Sequence, residues 1–252
     1  MLTTAEGIVI RTIDYGESNK IITLFTKEYG KIGIMARGAK KPKSRVSAVS
    51  QLLVYGSFLF YQSSGLGTLQ QGEIIESFRE VRNDLFRASY ASYVVELTDK
   101  LMDERQPNQA LFALLCQTLR LLNNDVDGEI LMRIFEMKML SVAGISPQLD
   151  CCSNCGNVEG EFAFSIQEAG FLCHRCYSKD RHVIKISARA AKLLRQFYYI
   201  DLHRLGTISV KKETKQELGL VISAYYDQYS GITLKSKRFL EQLERMDPTD
   251  ES

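Results

Sequence analysis

The side chains in this chain best suited to chemistry are cysteines. Cys152-Ser153-Asn154-Cys155 and Cys173-His174-Arg175-Cys176 are two C-x2-C pairs on either side of residues 156–172. This is the spacing of a four-cysteine zinc module, because a two-residue gap lets each pair bend until both thiolates reach one tetrahedral ion. Gly156 suits the tight turn after the first pair. Four thiolates close the coordination shell, whereas catalytic zinc keeps a position open for water, so the expected role is structural. Two details leave the ligand set open: Cys151 permits a C-x3-C register with Cys155, and His174 lies inside the second pair. A redox dithiol, disulfides and unligated buried cysteines are the competing readings. Clustering within 151–176 argues against a secreted disulfide scaffold. Cys116 falls on the apolar pattern of a helix and reads as a small buried residue.

A second constellation is basic. From Tyr29 to Gly72 there is no acidic residue, while Lys31, Arg37, Lys40, Lys41, Lys43 and Arg45 supply cations. In Arg37-Gly38-Ala39-Lys40-Lys41-Pro42-Lys43-Ser44-Arg45 the glycine, proline and serine favour an exposed loop. Such cations could follow a phosphate backbone without selecting a base, and the plain alternative is a solvated charge run. The flanking strands hold Tyr15, Phe25, Tyr29, Tyr55, Phe58, Phe60 and Tyr61, which are stacking platforms only where they face outward. Lys185, Arg189, Lys192, Arg195, Lys211, Lys212, Lys215, Lys235, Lys237 and Arg238 could extend a binding surface or coat helices in water. Catalysis has no positive signal: the P-loop, H-E-x-x-H, G-x-S-x-G and H-x-E…P-C-x-x-C signatures are absent, and no catalytic residues are assigned.

Elements to hold these residues can be read from punctuation and periodicity. Short β-branched and aromatic runs at 7–13, 21–25, 32–36, 52–60 and 68–75 are separated by turns too short for crossover helices, which predicts five antiparallel strands closing into a small barrel. Helical periodicity begins after Arg82, with Asp84 or Asn83 and then Asn108 as caps, and a third helix that starts at Gly128 or Asp127 stops at Gly144. Helices return after the cysteines, capped by Ser187 and Ser236, with another over 213–229. The expected organisation is α+β: an N-terminal five-stranded antiparallel barrel (1–80), a helical domain (81–150 and 177–246), a zinc module inserted in it (151–176) and a disordered acidic tail (247–252). The chain has 252 residues, 45% apolar and 25% charged, with net charge +2, an ordinary globular make-up. Without a long apolar run, and with Glu6 interrupting any signal-peptide pattern, a cytoplasmic location is expected.

These parts in this order resemble the RecO family of bacterial recombination mediators. The resemblance rests on the opening Glu6-Gly7-Ile8-Val9-Ile10-Arg11, the basic loop, and Leu149-Asp150-Cys151-Cys152-Ser153-Asn154-Cys155-Gly156, and it runs along essentially the whole chain. It implies an OB-fold followed by a helical domain with one structural zinc. It also implies a non-enzymatic role in DNA repair and homologous recombination. Such a protein binds single- and double-stranded DNA, anneals complementary strands and, with RecR, loads RecA onto strands coated by single-strand-binding protein. The resemblance assigns Arg37, Lys40, Lys41, Lys43 and Arg45 to DNA, assigns Cys152, Cys155, Cys173 and Cys176 to zinc, and implies association with the bacterial nucleoid. It gives no residues for the protein partners. The alternative is a zinc-containing protein-interaction adaptor that does not touch DNA.

Overall fold

Burial along the first strand shows how the barrel is assembled. β1, Leu2–Tyr15, alternates exposed and buried at its start, is buried on both faces from Gly7 to Ile10, and emerges again towards Tyr15. The computed structural model describes residues 1–63, 65–206 and 208–246; the stretch 247–252, read above as a tail, lies outside them. β2, Asn19–Thr26, pairs antiparallel with β1, and β3, Gly30–Ala36, with β2. β4, Tyr55–Tyr61, pairs with the other edge of β1, and β5, Gly67–Glu76, pairs with β4. The ring order is β1-β2-β3-β5-β4, the order of an OB-fold.

One expectation needs correction, since the barrel is not wholly antiparallel. β3 and β5 close it in parallel, Ile34 against Gly67 and Met35 against Thr68. Parity is the reason: strands that alternate direction around a ring must be even in number, so five strands leave one parallel seam. The core inside the ring includes Val9, Ile22, Leu24, Ile34, Phe58, Phe60 and Leu69.

Residues 37–54 join β3 to β4 without a helix. Ala39, Val46, Val49 and Val54 drop from this segment into the barrel core. Leu53 has a φ of 66°, and its N–H and the Val54 carbonyl bond the Val9 backbone at 2.9 Å each. These contacts explain why strand structure starts at Tyr55 rather than at Leu52. Gly30, at the β2–β3 turn, has φ +64°, and a Cβ there would meet the Gln106 carbonyl oxygen at 2.2 Å.

The chain divides into two compact units, Met1–Gly128 with residues 234–246, and Glu129–Thr233. The first contains the barrel, α1 (Arg79–Asn83), α2 (Leu85–Leu101), α3 (Gln109–Asn123) and α7 (Lys235–Met246). The Asp84 carboxylate caps α2 by accepting from Arg87 N at 2.8 Å, and Asn108 caps α3 through Leu111 N at 2.9 Å. Asp99 of α2 lies 3.4 Å from Arg11 and 3.3 Å from Lys31, joining that helix to the barrel. The last helix starts one residue earlier than its expected cap. The Glu96 carboxylate accepts from Lys235 N at 3.1 Å and Ser236 N at 2.8 Å, and so supplies the cap from α2.

The second unit holds most of α4 (Gly128–Val142), then β6 (Phe162–Ser165), β7 (Gly170–Cys173), β8 (Ile184–Lys185), α5 (Ala188–Tyr199) and α6 (Lys212–Tyr229). The three strands form an antiparallel sheet of order β7-β6-β8. Phe135, Phe164, Phe171 and Phe197 are fully buried here, enough apolar surface for a core of its own at about 1.5–3 kcal/mol per large side chain. Among the described residues no helix is long and apolar enough to cross a membrane.

Candidate metal centre and basic surface

The cysteines are brought together by a hairpin and two turns. β6 and β7 pair with Phe162 opposite Cys173, which puts Cys173 at the end of the hairpin. The 3-10 turn His174–Lys179 then swings Cys176 back. The first pair is tied to the same hairpin, because Ser153 N donates to the Phe171 carbonyl at 2.7 Å. Gly156, with φ +71°, turns so that its N–H reaches the Cys152 carbonyl at 2.9 Å. Gly170 allows the preceding chain to approach, since a Cβ there would lie 2.3 Å from the Gln148 carbonyl oxygen.

The result is a group of four sulfurs, Cys152, Cys155, Cys173 and Cys176, all within 4.8 Å of one another. Neither Cys151 nor His174 belongs to it. Tetrahedral zinc at about 2.3 Å from each sulfur sets them about 3.8 Å apart, and Cys155 and Cys173 stand 3.7 Å apart. Burial opposes ionisation of Cys152, but the backbone N–H groups of Cys173, Cys155 and Asn154 donate to its sulfur and bring the thiol down to about 6. Asn154 Nδ2 donates to Cys176 Sγ at 3.2 Å. That bond favours the Cys176 thiolate, yet burial and the three neighbouring sulfurs outweigh it and push the thiol up to about 11. Four thiolates at this spacing repel unless a cation lies among them, and the donor set is one that zinc prefers. By contrast Cys116 is buried, and burial, helped by the Glu76 and Glu6 carboxylates and opposed by Arg120, pushes its thiol up to about 12.

Two braces beside this group carried no signal in the sequence. Arg195 lays its guanidinium 5.0 Å from the Phe162 ring centre and 5.1 Å from that of Phe171. It is therefore a packing residue, unlike the exposed Lys185, Arg189 and Lys192. Asp180, buried, accepts from Ser165 Oγ at 2.7 Å and from His182 N at 2.7 Å. The Ser165 bond leads in holding its carboxyl below the usual range.

The basic segment is anchored on the barrel while its cations stay outside. Arg37, Lys40, Lys41, Lys43 and Arg45 are all exposed. Lys40 N donates to the Ser18 carbonyl at 2.9 Å and Gly38 N to Asn19 Oδ1 at 2.9 Å, fastening the segment to the β1–β2 hairpin. Lys40 Nζ also meets Asp14 Oδ2 at 2.8 Å, and this bond keeps the Asp14 carboxyl below its ordinary value. Among the described residues Arg37, Lys41, Lys43 and Arg45 have no ion-pair partner. Of the seven barrel aromatics, only Tyr15 and Tyr61 are exposed; Phe25, Phe58 and Phe60 are core, Tyr55 donates to Glu6 at 2.8 Å, and Tyr29 packs against the core.

Comparison with known proteins agrees with this architecture. The family model described as Recombination protein O N terminal matches residues 1–78, and that described as Recombination protein O C terminal matches residues 82–238. The DNA repair protein RecO of Halalkalibacterium halodurans is 61% identical over 252 residues, covering 100% of this chain and 99% of that protein. The proteins of the same name in Bacillus pumilus and Bacillus subtilis are 57% and 56% identical over 246 residues, each covering 98% of this chain and 96% of theirs. From the barrel through the helical region, the chain is thus that of a DNA repair and recombination protein. The chain belongs to the RecO family.

Proposed function

We propose that this protein is a non-enzymatic recombination mediator that binds single- and double-stranded DNA, anneals complementary strands and, with RecR, helps load RecA onto strands coated by single-strand-binding protein. One observation carries the DNA-binding part: five exposed cations on a segment anchored into an OB-type barrel, with only Asp14 among the described residues paired to any of them. Arg37, Lys40, Lys41, Lys43 and Arg45 are its phosphate contacts. Annealing follows physically, because cations that neutralise two backbones at once remove the repulsion that keeps complementary strands apart. The roles with RecR, single-strand-binding protein and RecA are supported by family membership. A protein with these roles works in the bacterial cytoplasm, with the nucleoid.

Cys152, Cys155, Cys173 and Cys176 hold one structural zinc in this reading. Its contribution when bound is to cross-link the turn at 152–155 to the β6–β7 hairpin, and the sulfur spacing supports it. The test is the annealing rate of two labelled complementary oligonucleotides, with intact protein and with the five cations changed to alanine. Acceleration by the intact protein and its loss in the folded variant are expected. Equal acceleration by both would remove the segment from the mechanism.

A further inference from the structure

The four sulfurs of the cysteine group do not stand in equivalent surroundings. Cys152, Cys173 and Cys176 are buried, and Cys155 is exposed. It lies in the stretch 154–161, which is exposed at every position except the half-buried Asn157. A small solute can therefore approach this ligand while the other three are covered.

Hydrogen bonding divides the sulfurs further. The N–H groups of Cys173, Cys155 and Asn154 donate to the Cys152 sulfur, and Asn154 Nδ2 donates to Cys176 Sγ at 3.2 Å. Donors that stabilise a thiolate make it a weaker nucleophile. Cys155 Sγ stands 3.7 Å from Cys173 Sγ, and Cys173 is fully buried. One accessible sulfur thus faces one covered sulfur at close range.

We propose that Cys155 is an oxidation site for hydrogen peroxide, and that it closes with Cys173 into a disulfide which opens the metal centre. The proposal rests on the zinc reading above and goes beyond it. The Cys155 thiolate attacks a peroxide oxygen, an S–O bond forms as the O–O bond breaks, and the departing hydroxide takes a proton to become water. Cys155 is then a sulfenic acid. The Cys173 thiolate attacks its sulfur, the S–S bond forms, the S–O bond breaks, and a second hydroxide leaves as water. In sum two thiolates give up two electrons, and one peroxide with two protons becomes two waters.

Closure brings the sulfurs from 3.7 Å to about 2.0 Å. Half of the thiolates are then spent, and a structural site built on four donors releases its ion. The new bond spans the same two parts that the ion joined, the turn at 152–155 and the β6–β7 hairpin. Cys176 alone comes free, on the 3-10 turn that carries the exposed His174 and Arg175.

Full-length, zinc-loaded protein is treated with hydrogen peroxide beside a chromophoric zinc chelator, and its disulfides are mapped by peptide mass spectrometry. About one zinc per chain should be released, in step with a Cys155–Cys173 disulfide, and dithiothreitol with added zinc should restore the metal. Cys151→Ser, which changes the half-buried neighbour outside the group, should behave as wild type. Cys155→His leaves three cysteines and one histidine, a set that zinc accepts, and should keep its metal at the dose that empties wild type. Cys176→His, which retains Cys155 and Cys173, should still lose it. The map of the wild-type protein decides the question where a histidine variant fails to load. Zinc that stays bound under peroxide, or a first disulfide other than Cys155–Cys173, would overturn the proposal and leave the structural zinc standing. Protein purified without zinc would overturn both.

Discussion

Asp14→Asn is the most discriminating single change to the basic surface. Asp14 occupies Lys40 at 2.8 Å in the free protein, so a phosphate must displace a carboxylate before it can use that ammonium. Arg37, Lys41, Lys43 and Arg45 have no such competitor among the described residues. Each phosphate neutralised on a single strand contributes about −0.7 to the slope of log K against log salt, so four contacts give about −2.8 and five about −3.5. D14N should therefore bind oligo-dT more tightly at low salt and steepen the slope by up to about 0.7, the full value if Lys40 stays on Asp14 in the wild-type complex. Fluorescence anisotropy across a salt series measures both. The control is the Lys40→Ala background, where D14N should leave the slope unchanged. Stability should hardly move, since exposed ion pairs contribute little. Weaker binding by D14N, or a slope change that persists without Lys40, would refute the idea that Asp14 competes with DNA for that cation.

Elemental analysis should find about one zinc per chain, and Cys155→Ser or Cys173→Ser should lose the metal and melt lower, because a four-sulfur module that loses a ligand loses its cross-link. Asp180→Asn should cost about 1–3 kcal/mol in chemical denaturation at neutral pH by weakening two charge-assisted hydrogen bonds. Its pH dependence has a fixed sign. A carboxyl held below its unfolded value stabilises the fold above that value, near pH 4, and the stabilisation is lost as pH falls through the folded value. Acid titration of wild type should therefore show a loss of stability that D180N has already suffered at neutral pH. Gly170→Ala should destabilise by about 1–3 kcal/mol through overpacking and lower metal retention, since the added carbon would sit 2.3 Å from the Gln148 carbonyl oxygen.

Much of the site could be read from the chain because its signals are local. Two C-x2-C pairs on a hairpin carry their geometry in their spacing, and the structure selects Cys152 over Cys151 by turning the backbone at Gly156. Caps at Asp84, Asn108 and Ser187 were equally legible, since a cap acts on an N–H only a few residues away. What could not be read depends on contacts between distant segments. Nothing near Asp14 announces that Lys40 returns to it, nothing near Glu96 announces that it caps α7, and Arg195 looks like any surface cation until Phe162 and Phe171 lie under it. The parallel seam between β3 and β5 was deducible from parity alone once five strands were counted.

The return of α7 to the first unit has a consequence for how the molecule assembles. Glu96 and Ser236 meet across a separation of 140 residues, and the whole second unit, Glu129–Thr233, lies in the intervening chain. While that chain is slack, closing it costs entropy that grows with its effective length, at about 0.6 kcal/mol for each doubling. Once the second unit has condensed, the same connection is a short tether and the last helix finds its place cheaply. During synthesis the barrel with α1–α3 is complete long before α7 leaves the ribosome, so its final seal waits on the maturation of residues it does not contain. Whatever keeps the cysteine module folded thereby shortens the tether for α7, and the two units are coupled through the covalent chain itself.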